Sequence, residues 1–452
     1  MEISCSGLFS GCTVSTIVST LRDRVINSGE YYMKRLRVSL VGALTLALAG
    51  SVTPAFAATT PAQVTTGFSG SAYGSYIFNT DKTLTSGPTA SSSISCTGAT
   101  GKTSTNTAAA LTVPAVGNVG AATTSVKTLL TTTGKRIESK STVNGSNLLG
   151  GLITAGAISS ESSADKNTAG AFSGTNKTTI ADLKVLGVAV GANPGANTVL
   201  DLSLPLVGSV GKITLNGQEK RLVNGAYQVS TTALRVEVLK AGLPGLKIGT
   251  DIRVGVSVAN LTAPQTGYLS GTGFSTRAAL ASGLINSGPT ALAYIGCSGG
   301  TGSANAAGAN IPGLLTAGAS STKTSGVLTP QPKSVVTNTL AGLNVLNGLI
   351  QADAIKAETS ATRTAGATTA TLTDTSTFTN LRIKGLPAIN ASVAPNTVVQ
   401  VAGLGQVTLH KVSKSSSAII VTMIDVVLSQ PIGALPTGSR IQIGYSSTGV
   451  AL

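Results

Sequence analysis

Short stretches rich in Val, Ile and Leu recur along the chain: Thr198-VLDLSL, Ala233-LRVEVL, Asp251-IRVGVSV, Val398-VQVA, Ile419-IVTMIDVVL and Arg440-IQIGY. β-Branched residues are stiff in a helix but pack well on a pleated surface, so such runs read as strands. Clusters of Gly, Pro and Asn, as in Gly191-ANPGAN and Asn216-Gly217, punctuate them as turns. In Gly348-LIQADAIKAE, Ile350, Ala352 and Ala354 alternate with Gln351 and Asp353, the period of a half-buried strand with the first three facing inward. No segment sustains a capped period of 3.6 residues. The pattern predicts an all-β protein of sandwich-like domains. Thr, Ser, Ala and Gly fill much of the remainder, which predicts thin cores held by backbone ladders and aliphatic contacts. The polar runs Lys102-TSTNTAAA, Ser303-ANAAGAN and Glu358-TSATRTAGATTATLTDTST read as long loops.

The strand pattern is written twice. LTSGPTASSSISCTGATG at 84–101 aligns with INSGPTALAYIGCSGGTG at 285–302, with ten identities in eighteen positions. Further blocks follow in the same order: Gly151-LITAGAISSE with Gly348-LIQADAIKAE, Ala196-Asn197-Thr198-Val199 with Pro395-Asn396-Thr397-Val398, and Gly249-TDIRVG with Gly438-SRIQIG. Units of this length are duplicated domains, since solenoid repeats run to about 50 residues. Two homologous domains in tandem are expected, at 67–265 and 273–452, with residues 58–66 as an extension before the first.

The segment Met33-KRLRVSLVGALTLALAGSVTPAFA-Ala58 has a basic start, an apolar run too short to be read as a membrane span, and a small-residue site. It reads as a secretory signal peptide over 33–57, cleaved between Ala57 and Ala58. Residues 1–32 then precede the true start, and Gly29-Glu30 is encodable by a purine-rich bacterial ribosome-binding sequence, so this stretch reads as a misassigned leader. No second apolar stretch of spanning length and no wall-sorting signal follows, so the mature chain is expected to lack a transmembrane segment.

Only 10% of residues are charged, 3% are aromatic, and there is one His and no Trp. A chain that is 42% apolar is not disordered by charge. Of the net charge of +15, the part after residue 57 carries +13, spread over both repeats without a polybasic run or aromatic interleaving, which argues against a nucleic-acid groove. A diffuse positive surface instead suits anionic cell-wall polymers or lipid headgroups. Cys96 and Cys297 hold equivalent positions in a secreted setting. The expectation is free or intermolecular thiols. The alternative is a bond between the domains, which needs their Cα atoms within about 7 Å.

Catalytic patterns are weak. Gly296-Cys297-Ser298-Gly299-Gly300 fits G-x-S-x-G, with Asp353 or Asp374 and then His410 in hydrolase order. That motif needs a strand-to-helix elbow, and the duplicate Ser95-Cys96-Thr97-Gly98-Ala99 breaks it, so a glycine-rich turn is expected. His410 follows Leu409 where the first copy reads Leu215-Asn216, so it stands in for a turn Asn. Gly101-Lys102-Thr103 ends like a phosphate loop but lacks the leading Gly. Asp425, in an apolar strand, is expected to face outward, with a buried functional acid as the alternative. No D-x-D-x-D calcium run occurs, and no metal or other cofactor is expected.

Gly-Leu-Ile-x-Ala-x-Ala in the middle of each copy, Pro-Asn-Thr-Val before a strand, and Ala-Leu-Pro-x-Gly-x-x-Ile-x-Ile-Gly at the end together resemble the choice-of-anchor P proteins of actinobacteria. The resemblance spans nearly all of 67–449 and implies a secreted or surface protein with no assigned activity. Together the expectations are a non-catalytic secreted or envelope-associated structural protein. The alternatives are an extracellular binding module or adhesin recognising a wall polymer or partner and, more remotely, a secreted serine hydrolase.

Overall fold

The computed structural model describes residues 66–79, 84–113, 115–223, 225–279, 285–287, 289–311, 315–387, 389–391, 393–431 and 436–451. The expected leader, signal peptide and Ala57–Ala58 cleavage site lie outside the described residues.

Among the described residues the regular structure is all strand apart from one 3-10 turn at Leu149–Gly151, and every pairing is antiparallel. The duplication is visible as topology. In the first copy a seven-stranded sheet runs Thr198–Leu204, Gly208–Val223, Ala226–Val238, Asp251–Thr262, Phe68–Phe78 and Leu84–Ser86, with Ser92–Thr97 also on Phe68–Phe78. The second copy repeats this strand for strand: Thr397–Val401, Gly405–Lys414, Ala418–Leu428, Arg440–Ala451, Tyr268–Ala279 and Ile285–Ser287, with Ala293–Ile295 on Tyr268–Ala279. Each seven-stranded sheet faces a nine-stranded one, built around Gly134–Leu148 and Ala157–Asn167 in the first copy and Lys333–Val345 and Ile350–Thr362 in the second. The first strand of the second copy is Tyr268–Ala279, the counterpart of Phe68–Phe78.

Cores are private to each copy. Ile77, Val143, Ile158, Ile213, Val236 and Ile252 anchor the first, and Leu340, Ile355, Leu409, Val421, Ile424 and Ile443 the second. A smaller cluster fills the other end of each sandwich. Between the two clusters the sheets are joined by buried hydroxyls. Ser162 meets Ser257 at 3.0 Å and Thr231 at 2.7 Å, and Ser139 and Ser141 donate to the carbonyls of Val258 and Tyr73. The equivalent pair in the second copy, Thr359 and Ser446, lies at 2.6 Å. Small side chains are required there because the sheets come close: a Cβ on Gly74 would sit 2.5 Å from Ala122, and one on Gly273 would sit 2.5 Å from Thr322. This is the physical content of the Thr-, Ser- and Ala-rich composition.

The repeated Ser-Gly-Pro-Thr letters also serve the fold. The Thr89 hydroxyl accepts from Ser75 N at 2.9 Å, and the Thr290 hydroxyl accepts from Thr276 N at 3.1 Å, tying the return loop to the first strand of each copy. At the end of the repeat, Gly255 and Gly444 take φ of +66° and +63° where the ladder skips one pair without a change of register. A side chain at Gly444 would be strained and 2.9 Å from Ile355. Gly444→Ala is therefore expected to cost about 2 kcal/mol, read as a lower denaturation midpoint.

Two local expectations are corrected. The three polar runs are mostly strands: Thr103–Ala108, Gly300–Ala306 and Thr371–Asp374 pair within the nine-stranded sheets, and Ile350–Thr362 extends through the start of the third run. Their Thr residues suit a pleated surface that is wet on one side. Ala354 does not stay on the inner face, because the ladder skips the pair Gly342–Asp353, where Gly342 has φ of +61°, and the inward phase changes there with the register kept, so that Ile355 takes the buried place.

Candidate functional site

The reactive side chains lie in two regions, the junction of the copies and the outer sheet faces. At the junction Cys96 and Cys297 are disulfide-bonded, with Cα atoms 5.0 Å apart. The expectation of free or intermolecular thiols is thus replaced by a bond between the copies, because the strand ends carrying them are brought together by the connector. Gln265 of that connector donates to Cys297 O at 3.3 Å and accepts from Ser298 Oγ at 2.9 Å. Tyr268 packs its ring against Gly67 and Gly98 of the first copy, where a Cβ at either position would stand 2.9 Å from it. Beside the bond a groove of about 230 Å³ is lined from both copies, by Ser71, Ser93, Ile94 and Gln228 on one side and Thr272 and Tyr294 on the other. Its lining carries hydroxyls, amides and backbone but no carboxylate or imidazole, so it is suited to holding a small polar group rather than moving protons.

The expected glycine-rich turn around Ser298 is present. Gly299 N donates to Gly296 O at 2.9 Å, and Gly299 has φ of +95°. Ser298 belongs to this junction turn, with Gln265 as its partner. Asp353 is held on the exposed face by Asn380 at 2.6 Å and Arg382 at 2.8 Å. Asp374 and His410 do meet, at 2.7 Å through Nε2, while Nδ1 lies 2.7 Å from Val393 O. Both imidazole nitrogens are therefore engaged, and neither is left to take a proton from a serine. Lys102 sits in a turn between strands, its backbone N donating to Thr128 Oγ1 at 3.0 Å, and a strand rather than a helix follows.

His410 occupies the backbone position of a turn Asn. It has φ of +48° against +52° for Asn216, and both side chains bond a carbonyl of the preceding turn, Val393 O and Pro194 O. What the first copy lacks is Asp374. Its hydrogen bond raises the His410 pKa above the ordinary value, more than burial lowers it. Burial works against ionisation of Asp374, but bonds from His410 and Ser376 outweigh it and hold the carboxyl below its usual range. A raised imidazole pKa stabilises the fold fully below the unfolded value of about 6.5 and ceases to do so as pH rises through the folded one. The expected loss on the alkaline side is about 2 kcal/mol, the worth of a hydrogen bond to a charged group. His410→Asn, which keeps the backbone geometry, should abolish this limb in chemical denaturation between pH 5 and 9.

The outer faces of the seven-stranded sheets hold a second pair of clusters. Asp425 points outward as expected, yet it is only 2% exposed, covered by Arg440 at 2.5 Å and Lys411 at 2.6 Å. In the first copy Asp251 is bound by Arg235 at 2.7 Å and Arg253 at 2.9 Å. Strand register equates Arg235 with Asp425 and Asp251 with Arg440, so the same diagonal ion pair is built with its charges reversed. For both carboxylates, burial opposes ionisation, but the cationic hydrogen bonds outweigh it and depress the pKa. Sequence reasoning missed this pair, although Asp251 stands opposite Arg440 in the aligned blocks. It also missed Tyr268 and Gln265, which carry no motif. Among the described residues no group of three His, Cys, Asp or Glu side chains is arranged to hold a metal ion, and no helix is long and apolar enough to cross a membrane.

A family model described as a domain of unknown function, DUF8256, matches residues 284–404, within the second copy. No curated protein and no solved structure matches the chain.

Proposed function

We propose that this is a non-catalytic secreted or envelope-associated structural protein, in keeping with its resemblance to the choice-of-anchor P proteins. The observation that carries the reading is the charge-reversed ion pair. A carboxylate acting as general acid or base does not survive exchange for arginine, whereas a pair that pins two strands works with either polarity. His410, Asp374 and Ser298 are likewise engaged in holding turns and strands. Fractionation into medium, wall and membrane, with a salt series on isolated wall, tests the reading. Retention lost at high salt supports association with an anionic envelope polymer. Absence of the protein from medium and envelope alike, or turnover of an ester substrate lost in Ser298→Ala, overturns it.

A binding-module reading draws on one feature. The outer face of the first seven-stranded sheet forms a polar cleft of about 440 Å³ lined by Tyr73, Asn197, Gln218, Arg221 and Gln228. Planar amides and guanidinium beside one phenol suit a polar polymer segment, and the volume lies within the usual range for ligand sites. The second copy has Phe274 for Tyr73 and Lys411 for Gly217, which also lines the cleft, so the lining differs between the copies.

A further inference from the structure

The end of the first sandwich remote from the disulfide carries an unusual concentration of exposed aliphatic side chains. Leu206 is fully exposed, Val188 is 68% and Ile248 60% exposed, and Val207 and Leu239 are also in solvent. They come from three separate loops, Leu183-KVLGVAVG, Leu204-PLVG and Leu239-KAGLPGLKIG. These loops converge. Leu186 N donates to Leu152 O at 2.7 Å, a Cβ on Gly242 would lie 3.0 Å from Val207, and one on Gly245 would lie 2.6 Å from Ala115. Beside the second and third loops opens an apolar cleft of about 640 Å³ lined by Leu149, Leu152, Leu204, Leu243 and Leu246. Ordinary soluble proteins scatter such residues singly and keep contiguous apolar patches small.

Charge identifies what this tip faces. Lys184, Lys240 and Lys247 are all exposed in these loops, Lys240 next to Leu239 and Lys247 next to Ile248 in the chain, and the one acid at their edge is Asp182. Aliphatic ends with lysines behind them match a bilayer whose acyl chains lie beneath anionic headgroups. A wall polysaccharide would gain nothing from exposed Leu and Val. We infer that these loops form a docking tip for an anionic lipid surface, with the leucine-lined cleft open toward the acyl region. The inference rests on the envelope-associated reading and names the surface and the partner.

The test is co-sedimentation of the full chain with vesicles of phosphatidylglycerol and phosphatidylcholine in equal parts, and of phosphatidylcholine alone. Binding to the anionic vesicles, weakened by salt, is expected. Leu206→Asp with Ile248→Asp should weaken it at least about tenfold, since affinity scales with buried apolar area. Lys184→Glu with Lys240→Glu should remove the preference for anionic lipid. Leu130→Asp with Leu222→Asp, at the opposite end where these side chains are 72% and 71% exposed, should leave binding unchanged. The inference is overturned by no binding to anionic vesicles, by equal binding to both vesicle types, or by a tip variant that binds like the parent. It is also overturned if the tip variant merely dissolves a dimer in ultracentrifugation while vesicle binding is absent. Envelope retention that survives in the tip variant would sink the lipid tip and leave the broader reading standing.

Discussion

Replacing Cys96 and Cys297 by serine is expected to lower the stability of the first copy far more than that of the second. The bond closes a loop with a sequence separation of 201 residues, and that loop contains nearly all of the first sandwich. The second sandwich lies mostly beyond Cys297. Because the cores are separate, each copy has its own unfolding equilibrium, and the bond restricts the denatured ensemble of the copy inside the loop. Chain entropy sets the effect at about 5 kcal/mol for a loop of this length. Calorimetry should therefore show two transitions in the variant, with the one for the first copy moved down. Equal movement of both, or a single unshifted transition, would refute this account. Tyr268, seated between Gly67 and Gly98, should keep the copies in contact after the bond is lost, so the variant remains folded at low temperature.

Asp425→Ala is expected to cost about 3 kcal/mol, since it leaves Arg440 and Lys411 crowded without their buried partner. The charge-reversed pair in the first copy supplies the rescue. Asp425→Arg, Arg440→Asp, Gln442→Arg and Lys411→Gly together copy the first-copy arrangement of Arg235, Asp251, Arg253 and Gly217, and should recover most of the loss. A quadruple variant no better than Asp425→Ala would show that the two clusters are not equivalent. Both Asp251 and Asp425 are held below the usual carboxylate range. Their stabilisation is therefore present above the unfolded pKa near 3.9 and lost as pH falls through the lower folded values. The acid limb thus lies below about pH 4, on the opposite side of neutrality from the His410 limb.

The all-β class and the duplication were legible because strands and turns announce themselves locally, and because two copies of one pattern check each other. His410 as a substitute for Asn216 was legible for the same reason. Contacts between distant strands were not. Asp374 reaches His410 from the facing nine-stranded sheet, and no spacing in the chain announces it. The Thr-rich runs looked like loops because a strand wet on one side, with small residues on the other, has too little apolar contrast to show its period. The skipped pair at Gly342 reversed the phase of Ala354 and Ile355, which a strict alternation cannot foresee. The disulfide depended on how two domains meet, which is a property of the connector and its contacts with Cys297 and Ser298 rather than of either copy.

The belt of hydroxyls between the sheets bears on how this protein answers to temperature. Unfolding apolar surface raises the heat capacity, whereas exposing polar surface lowers it. A sandwich whose middle is stitched by Ser162, Ser257, Thr359 and Ser446, and whose sheets approach too closely for large side chains, exposes comparatively much polar surface when it opens. Its heat-capacity increment should fall below the usual value of about 12–15 cal/mol/K per residue, and its stability curve should be correspondingly flat. That means a fold whose margin changes little between cold and warm surroundings.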